Sequence, residues 1–382
     1  MKPSHYERQW HLHGRHPTAD ISSEADLGCE DFWHRHGTGS ADIVVALADD
    51  GVDIQVPGLE RPGKLAGHAH HDGETWRVHA GQNHADLAQC RFGGTHGNAM
   101  AALIAAAGED RGQGVAPGCR LFPIRLPMRN RQVILSEPLL AGMLGIIDRH
   151  ADIALLPIAR HPVMHFSRNI LDRMAAMGQS GGRRGKGVVF VFPAGNANCP
   201  IHFRTSSPVS FGREAKTNTA LQSRRFRNAF AELDCKLHVS AITAAAQKAF
   251  YSCYGPGIDI CAPSSCERPF SKEKTAELPG LATAYHRDGR FSDNFKGTSG
   301  AAALVAGSAA LLRGLHPDAT ATEIVATLKA QASKSLDETD IYSLVQLRPW
   351  EQRPPDALSE GGFDHNGWSP WFGHGKTDLR RF

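Results

Sequence analysis

The chain has 382 residues, enough for one large α/β domain or two small ones, and long enough to bury a substantial core. Its 42 Lys and Arg against 39 Asp and Glu leave a formal charge of +3, too balanced to argue for nucleic acid or an anionic membrane as partner. The longest apolar run, 301–312, is shorter than the ~20 residues a bilayer span requires, and the eight cysteines are scattered without CxxC pairs, a pattern that fits ordinary buried thiols better than a disulfide framework or a zinc site.

Residues from Tyr6 to about Thr38 are polar, His-rich and weakly periodic. They predict an arm over 1–40 lying on a domain that spans 41–382, with Trp10 and Trp33 as its apolar anchors. The first dozen residues carry no apolar signal core, so a cytoplasmic protein is expected, with a trimmed secreted form as the alternative. The run Ile43 to Ala48 is continuous and β-branched, the pattern of a strand buried on both faces of a parallel sheet. It ends in Asp49-Asp50-Gly51, either a polar turn or two carboxylates at the sheet edge where α/β proteins hold ligands.

Gly67 to Cys90 reads as a loop containing His68, His70, His71, His79 and His84. These histidines could bind metal, although no complete tetrahedral ligand spacing is present. Gly94-Thr95-His96-Gly97 then opens an apolar, small-residue helix. Strands over Leu121–Leu126, Ile153–Leu156 and Val188–Phe192 alternate with helices over Ser136–Arg149 and about Arg168–Met177, as in a parallel sheet with right-handed crossovers.

A basic turn, 182–187, precedes the third of these strands. Asn196 follows it beside Gly195, either as a turn residue or with its amide projecting over the sheet edge. Two more strand-like runs, His238–Ile242 and Ile258–Ala262, flank the turn 254–257. The charged stretch Pro269–Lys296 suggests a surface excursion. Gly297-Thr298-Ser299 runs into a second buried helix, placing the Ser299 hydroxyl where it can cap that helix or act as a nucleophile beside unpaired N–H groups. Thr320-Ala321-Thr322-Glu323 is a capping box for a closing helix that ends near Ser333.

Asp49, His96, Asn196 and Ser299, in that order and within these motifs, resemble the subtilisin-like serine peptidases over nearly the whole chain from about Gln9. Gln9-Trp10-His11-Leu12, Asp49-Asp50-Gly51, the 182–187 turn and Tyr251-Ser252 are most similar to the kexin-like branch, and 367–376 resembles the closing segment of bacterial members. The resemblance implies a three-layer fold with a mainly parallel central β-sheet and helices on both faces. It also implies an endopeptidase in which Ser299 attacks, His96 transfers the proton, Asp49 orients His96, and Asn196 with the Ser299 N–H holds the oxyanion.

Several positions depart from the family pattern. Pro157-Ile158-Ala159-Arg160 replaces the substrate-pairing Ser-x-Gly strand, Ala303 replaces a proline, and Gly58 stands where an aspartate often ligates calcium. No cofactor is expected for the chemistry, and structural calcium is expected only away from Gly58. No acidic residue matches those that select basic side chains, so dibasic specificity is not implied. With no inhibitory propeptide or trailing β-domain apparent, the expected partners are a polypeptide substrate and a regulatory or inhibitory protein, with neither nucleic acid nor membrane. Two other readings remain: a catalytically silent module that binds peptides or proteins, and a metal-dependent hydrolase built on the loop histidines.

Overall fold

The β-branched run forms strand β1 (Val44–Asp49), buried from end to end. Its alternation splits the interior in two: Val45 and Leu47 face one hydrophobic cluster, and Val44, Ala46 and Ala48 face the other. Around β1 a computed structural model, which describes residues 4–81, 95–108, 112–129, 132, 133, 135–214, 217, 219–265, 278–286, 288–339, 341, 342 and 353–382, builds an eight-stranded sheet.

The other strands are β2 (Gly67–His71), β3 (Trp76–Ala80), β4 (Arg120–Arg125), β5 (Ile153–Leu155), β6 (Val189–Pro193), β7 (Lys236–Ile242) and β8 (Ile260–Pro263). Their order is β8-β7-β6-β5-β1-β4-β2-β3, and every pairing is parallel except that of β2 with β3. Helices α1 (Thr95–Ala105), α4 (Thr298–Leu315) and α5 (Ala321–Ala330) pack on one face; α2 (Glu137–His150) and α3 (Arg168–Ser180) cover the other. This is the three-layer, mainly parallel arrangement expected from the alternating pattern.

Helix α4 is by length and composition sufficient to cross a membrane. Here it runs through the interior, with 300–313 buried, because its Ala and Gly residues let the sheet and α1 approach closely. At α5 the capping box is complete: the Thr320 hydroxyl accepts the Glu323 N–H at 3.2 Å, and the Glu323 carboxylate accepts the Thr320 N–H at 2.7 Å.

Three local readings change. Residues 67–80 are not a loop but the β2–β3 hairpin on the sheet edge, because alternating Ala69 and Val78 sit opposite one another in its ladder; His84 lies outside the described residues. Within Pro269–Lys296, Leu281–Ala284 is a fully buried strand paired with Phe291–Phe295, held under the N-terminal segment and not exposed as a surface excursion. An antiparallel hairpin, Phe203–Arg213 with Ala220–Asn228, was not evident in the sequence, since only a few residues, such as Val209 and Phe226, face inward and the rest are polar.

The N-terminal residues form two short helices, Trp10–His13 and Cys29–His36. Their Trp10, Leu12, Cys29 and Phe32 enter the same core as α1 and α4. Trp10 donates to Gly280 O at 2.7 Å and Trp33 to Val115 O at 2.9 Å, while Gln9 bridges Gln113 O and Ala282 O. The closing segment adds to the outer edge of β8 through Cys261 N–H to Gly375 O at 2.9 Å and Thr377 N–H to Cys261 O at 3.0 Å.

Candidate active site

Parallel strands deliver their following residues to one edge of the sheet, and two candidate residues arrive there for that reason. Asp49 is the last residue of β1, and Asn196 follows β6 by three positions. His96 lies in the first turn of α1 and Ser299 in the first turn of α4, two helices that pack side by side.

His96 Nδ1 lies 2.9 Å from both Asp49 oxygens. Asp49 is almost fully buried while the His96 side chain is 41% exposed, so the ring has one nitrogen fixed and its opposite edge open. Burial disfavours the charged ring, but the charge and hydrogen bond of Asp49, with Asp50 behind them, outweigh it and raise the His96 pKa above 6.5. Asp50 accepts the Gly97 N–H at 2.8 Å, capping the start of α1 from a different segment. Burial and the Asp49 charge push the Asp50 carboxyl up to about 6.

The second half of the site is organised by Thr298. Asn196 Oδ1 accepts both the Thr298 N–H (2.9 Å) and the Thr298 hydroxyl (3.0 Å), and that hydroxyl accepts the Gly195 N–H at 3.0 Å. Because the amide oxygen is occupied, Nδ2 is the group of this side chain left to donate elsewhere. The Ser299 N–H, at the second helical position, has no intrahelical acceptor. The preceding Gly297 is fixed at both ends: its N–H donates to Tyr251 Oη at 3.0 Å, and its carbonyl accepts from Ser264 Oγ at 2.9 Å. Ser299, Asn196, Pro157, Ala159 and His161 line a cavity of 210 Å³.

Asp49 is thus joined to His96, and Asn196 to the turn carrying Ser299. No hydrogen bond links His96 to Ser299 among the described residues; the ring lies beside Phe295, centroid to centroid 5.8 Å. The matching family model is that of the subtilases, over residues 40–374. The chain belongs to the subtilase family.

Among its relatives, a calcium-dependent protease of Nostoc sp. is 23% identical over 406 residues, covering 98% of this chain and 50% of that protein. Mycosin-3 of Mycobacterium tuberculosis is 28% identical over 267 residues, covering 64% of this chain and 56% of its own length. The chain therefore spans about half the length of the curated relatives it matches. Among solved structures, the Aeromonas sobria serine protease in complex with its chaperone superposes with a TM-score of 0.65 at 19% identity, over 98% of this chain and 65% of that one. The fold is therefore subtilisin-like.

In this subtilase, residues 157–160 after β5 form no strand, and the Ile158 N–H turns back to Leu156 O at 2.7 Å. Gly58 has φ of +85°, and a side chain there would press on Ala106 at 2.9 Å, so no carboxylate fits at the position where the resemblance places a calcium ligand. The contacts that Thr298, Tyr251 and Ser264 make to hold the turn carrying Ser299 are not legible in the sequence. Thr298 lies within the Gly297-Thr298-Ser299 motif and Tyr251 within the Tyr251-Ser252 match, but neither motif says what the hydroxyl holds.

The hairpin histidines do converge. A ring nitrogen from each of His68, His70 and His79 lies within 4.8 Å of the others, and the His68 and His79 rings stack at 4.6 Å. His71 alternates to the opposite face and packs on Trp76.

Proposed function

We propose that this subtilase is a serine endopeptidase in which Asp49, His96 and Ser299 form the catalytic triad and Asn196 with the Ser299 N–H forms the oxyanion hole. The observation that carries this reading is the Asp49–His96 bond standing at the same sheet edge as an Asn196 amide whose oxygen is already occupied. In the reaction His96 Nε2 takes the Ser299 Oγ proton as Oγ adds to the peptide carbonyl, then returns it to the departing amine. Water repeats the cycle on the acyl-enzyme. Asp49 holds the proton on Nδ1 and stabilises the imidazolium as it forms.

Substrate binding closes the His96–Ser299 pair, as catalytic hydrogen bonds commonly tighten only in the Michaelis complex. The absence of a strand at 157–160 and the small cavity support a restricted set of polypeptide substrates. The chaperone in the Aeromonas sobria complex supports control of this chain by a partner protein. The relatives named as calcium-dependent suggest a structural ion, which in this chain would have to lie away from Gly58.

A second reading, a silent peptide-binding module, draws on the lack of a His96–Ser299 hydrogen bond among the described residues and on Pro157. A fluorophosphonate probe decides between the two. Labelling of the wild type at Ser299, lost in Ser299→Ala, supports the peptidase; a folded wild type that stays unlabelled supports the module.

A further inference from the structure

Beneath the cavity wall, behind the oxyanion loop, three side chains far apart in sequence meet. Cys199 Sγ lies 3.7 Å from Cys253 Sγ, and Cys253 Sγ lies 3.4 Å from His161 Nε2. All three ligand atoms fall within 4.8 Å of one another. Both cysteines are fully buried, whereas His161 is partly exposed and lines the cavity that holds Asn196 and Ser299.

We propose that His161, Cys199 and Cys253 form a binding site for a thiophilic d¹⁰ cation, Zn²⁺ in the first instance. Two of the three ligand-atom separations are those the ion would impose, and the third lies within 4.8 Å. With Zn–S near ~2.3 Å and Zn–N near ~2.0–2.1 Å, a tetrahedron puts its sulfurs about 3.8 Å apart and sulfur from nitrogen about 3.5 Å apart. The observed pairs sit at 3.7 and 3.4 Å. Two thiolates and a neutral imidazole around a divalent cation sum to zero charge, which is what a site with two buried ligands requires. Two sulfurs and one nitrogen exclude calcium and magnesium, which take oxygen.

The frame around the site is rigid. Cys253 N–H donates to Gly195 O at 2.9 Å, Tyr254 N–H to Cys199 O at 3.2 Å, and Asn198 N–H to Tyr251 O at 2.9 Å, so the two cysteine loops are laced together. Gly195 has φ of +105°, and any side chain there would collide with His161 Nε2. The residue before Asn196 thus leaves the imidazole its place above the sulfurs. His161 is the one ligand on the cavity side, so the ion enters there and its remaining coordination position is open to water. Ion binding by these three side chains does not require peptidase activity.

The test is cobalt substitution of the reduced 382-residue chain. Co²⁺ at this site gives a thiolate-to-cobalt charge-transfer band in the near ultraviolet at about one ion per chain. Cys199→Ser and Cys253→Ser lose most of that band, and His161→Gln weakens zinc, measured by competition with a chromophoric chelator, by about tenfold or more. Replacing His68, His70 and His79 together leaves the band in place, separating this site from the hairpin histidines. Co²⁺ saturation of the wild type without a sulfur band overturns the proposal. So does a Cys199–Cys253 disulfide found by mass spectrometry in protein purified without added oxidant. The wild-type spectrum stands even if a serine variant fails to fold.

Discussion

Two substitutions at Asn196 separate its anchoring oxygen from its donating nitrogen. In Asn196→Asp the oxygen that accepts from Thr298 N–H and Oγ–H, at 2.9 and 3.0 Å, is retained, so the loop keeps its anchor. The amide donor, however, becomes an oxygen of the wrong charge where the proposed oxyanion would develop. In Asn196→Ala both Thr298 donors lose their acceptor, and Thr298 is fully buried. A stranded buried donor costs about 1–3 kcal/mol, so the alanine variant loses stability as well as rate. Loss of one oxyanion donor typically costs about 10² to 10³ in kcat, and the aspartate should exceed that because it adds repulsion to the missing bond. The assay is the second-order rate of Ser299 phosphonylation by a fluorophosphonate, which requires no knowledge of the natural substrate, run beside denaturant unfolding. Alanine slower and less stable, aspartate slower still yet close to wild type in stability, is the expected pattern. An Asn196→Ala chain that reacts at an undiminished rate would refute the assignment of its amide to the oxyanion.

Four further outcomes follow from the same contacts. As the proposed general base His96 would have to be neutral to take the serine proton, and because its pKa is raised, phosphonylation should increase with pH through a midpoint above 6.5; Asp49→Asn should move that midpoint down and lower the plateau by about 10⁴, read from the pH–rate profile. Asp50, at about 6 in the fold against 3.8 ordinarily, favours folding only when protonated, a contribution complete below about pH 4 and lost as pH rises through 6. Asp50→Asn keeps an oxygen for the Gly97 N–H, so it should match wild-type stability near pH 4 and exceed it at pH 8, as urea titrations at the two pH values would measure. Thr320→Ala breaks the α5 capping box and should cost about 1 kcal/mol in the same titration without changing the phosphonylation rate. Added calcium should raise Tm if a structural ion binds away from position 58, where a ligand side chain has no room; an unchanged Tm would overturn the structural-calcium reading.

By itself the sequence determined the elements whose cause is local. A β-branched run makes β1, Ala and Gly make α4 a buried helix, and Thr320 with Glu323 starts α5; each signal is complete within a few residues. The motifs of Asp49, His96, Asn196 and Ser299 were legible for the same reason, since a strand end or a helix start is a short-range feature. The polar hairpin at 203–228 was not, because strands with one face in water carry little apolar pattern, and the β2–β3 hairpin was obscured by histidines occupying positions where aliphatic residues usually mark a strand.

What only the tertiary structure decided is which distant groups share a hydrogen bond or lie in contact. Thr298 is 102 residues from the Asn196 it anchors, Tyr251 is 46 from the Gly297 it holds, and Cys253 is 54 from Cys199 and 92 from His161. No spacing rule links such positions, because chain closure over tens of residues is set by the register of β6, β7 and their connections and not by the local sequence. The eight cysteines read as scattered along the chain, and two of them became neighbours only when the loop after β6 was laid against the loop after β7.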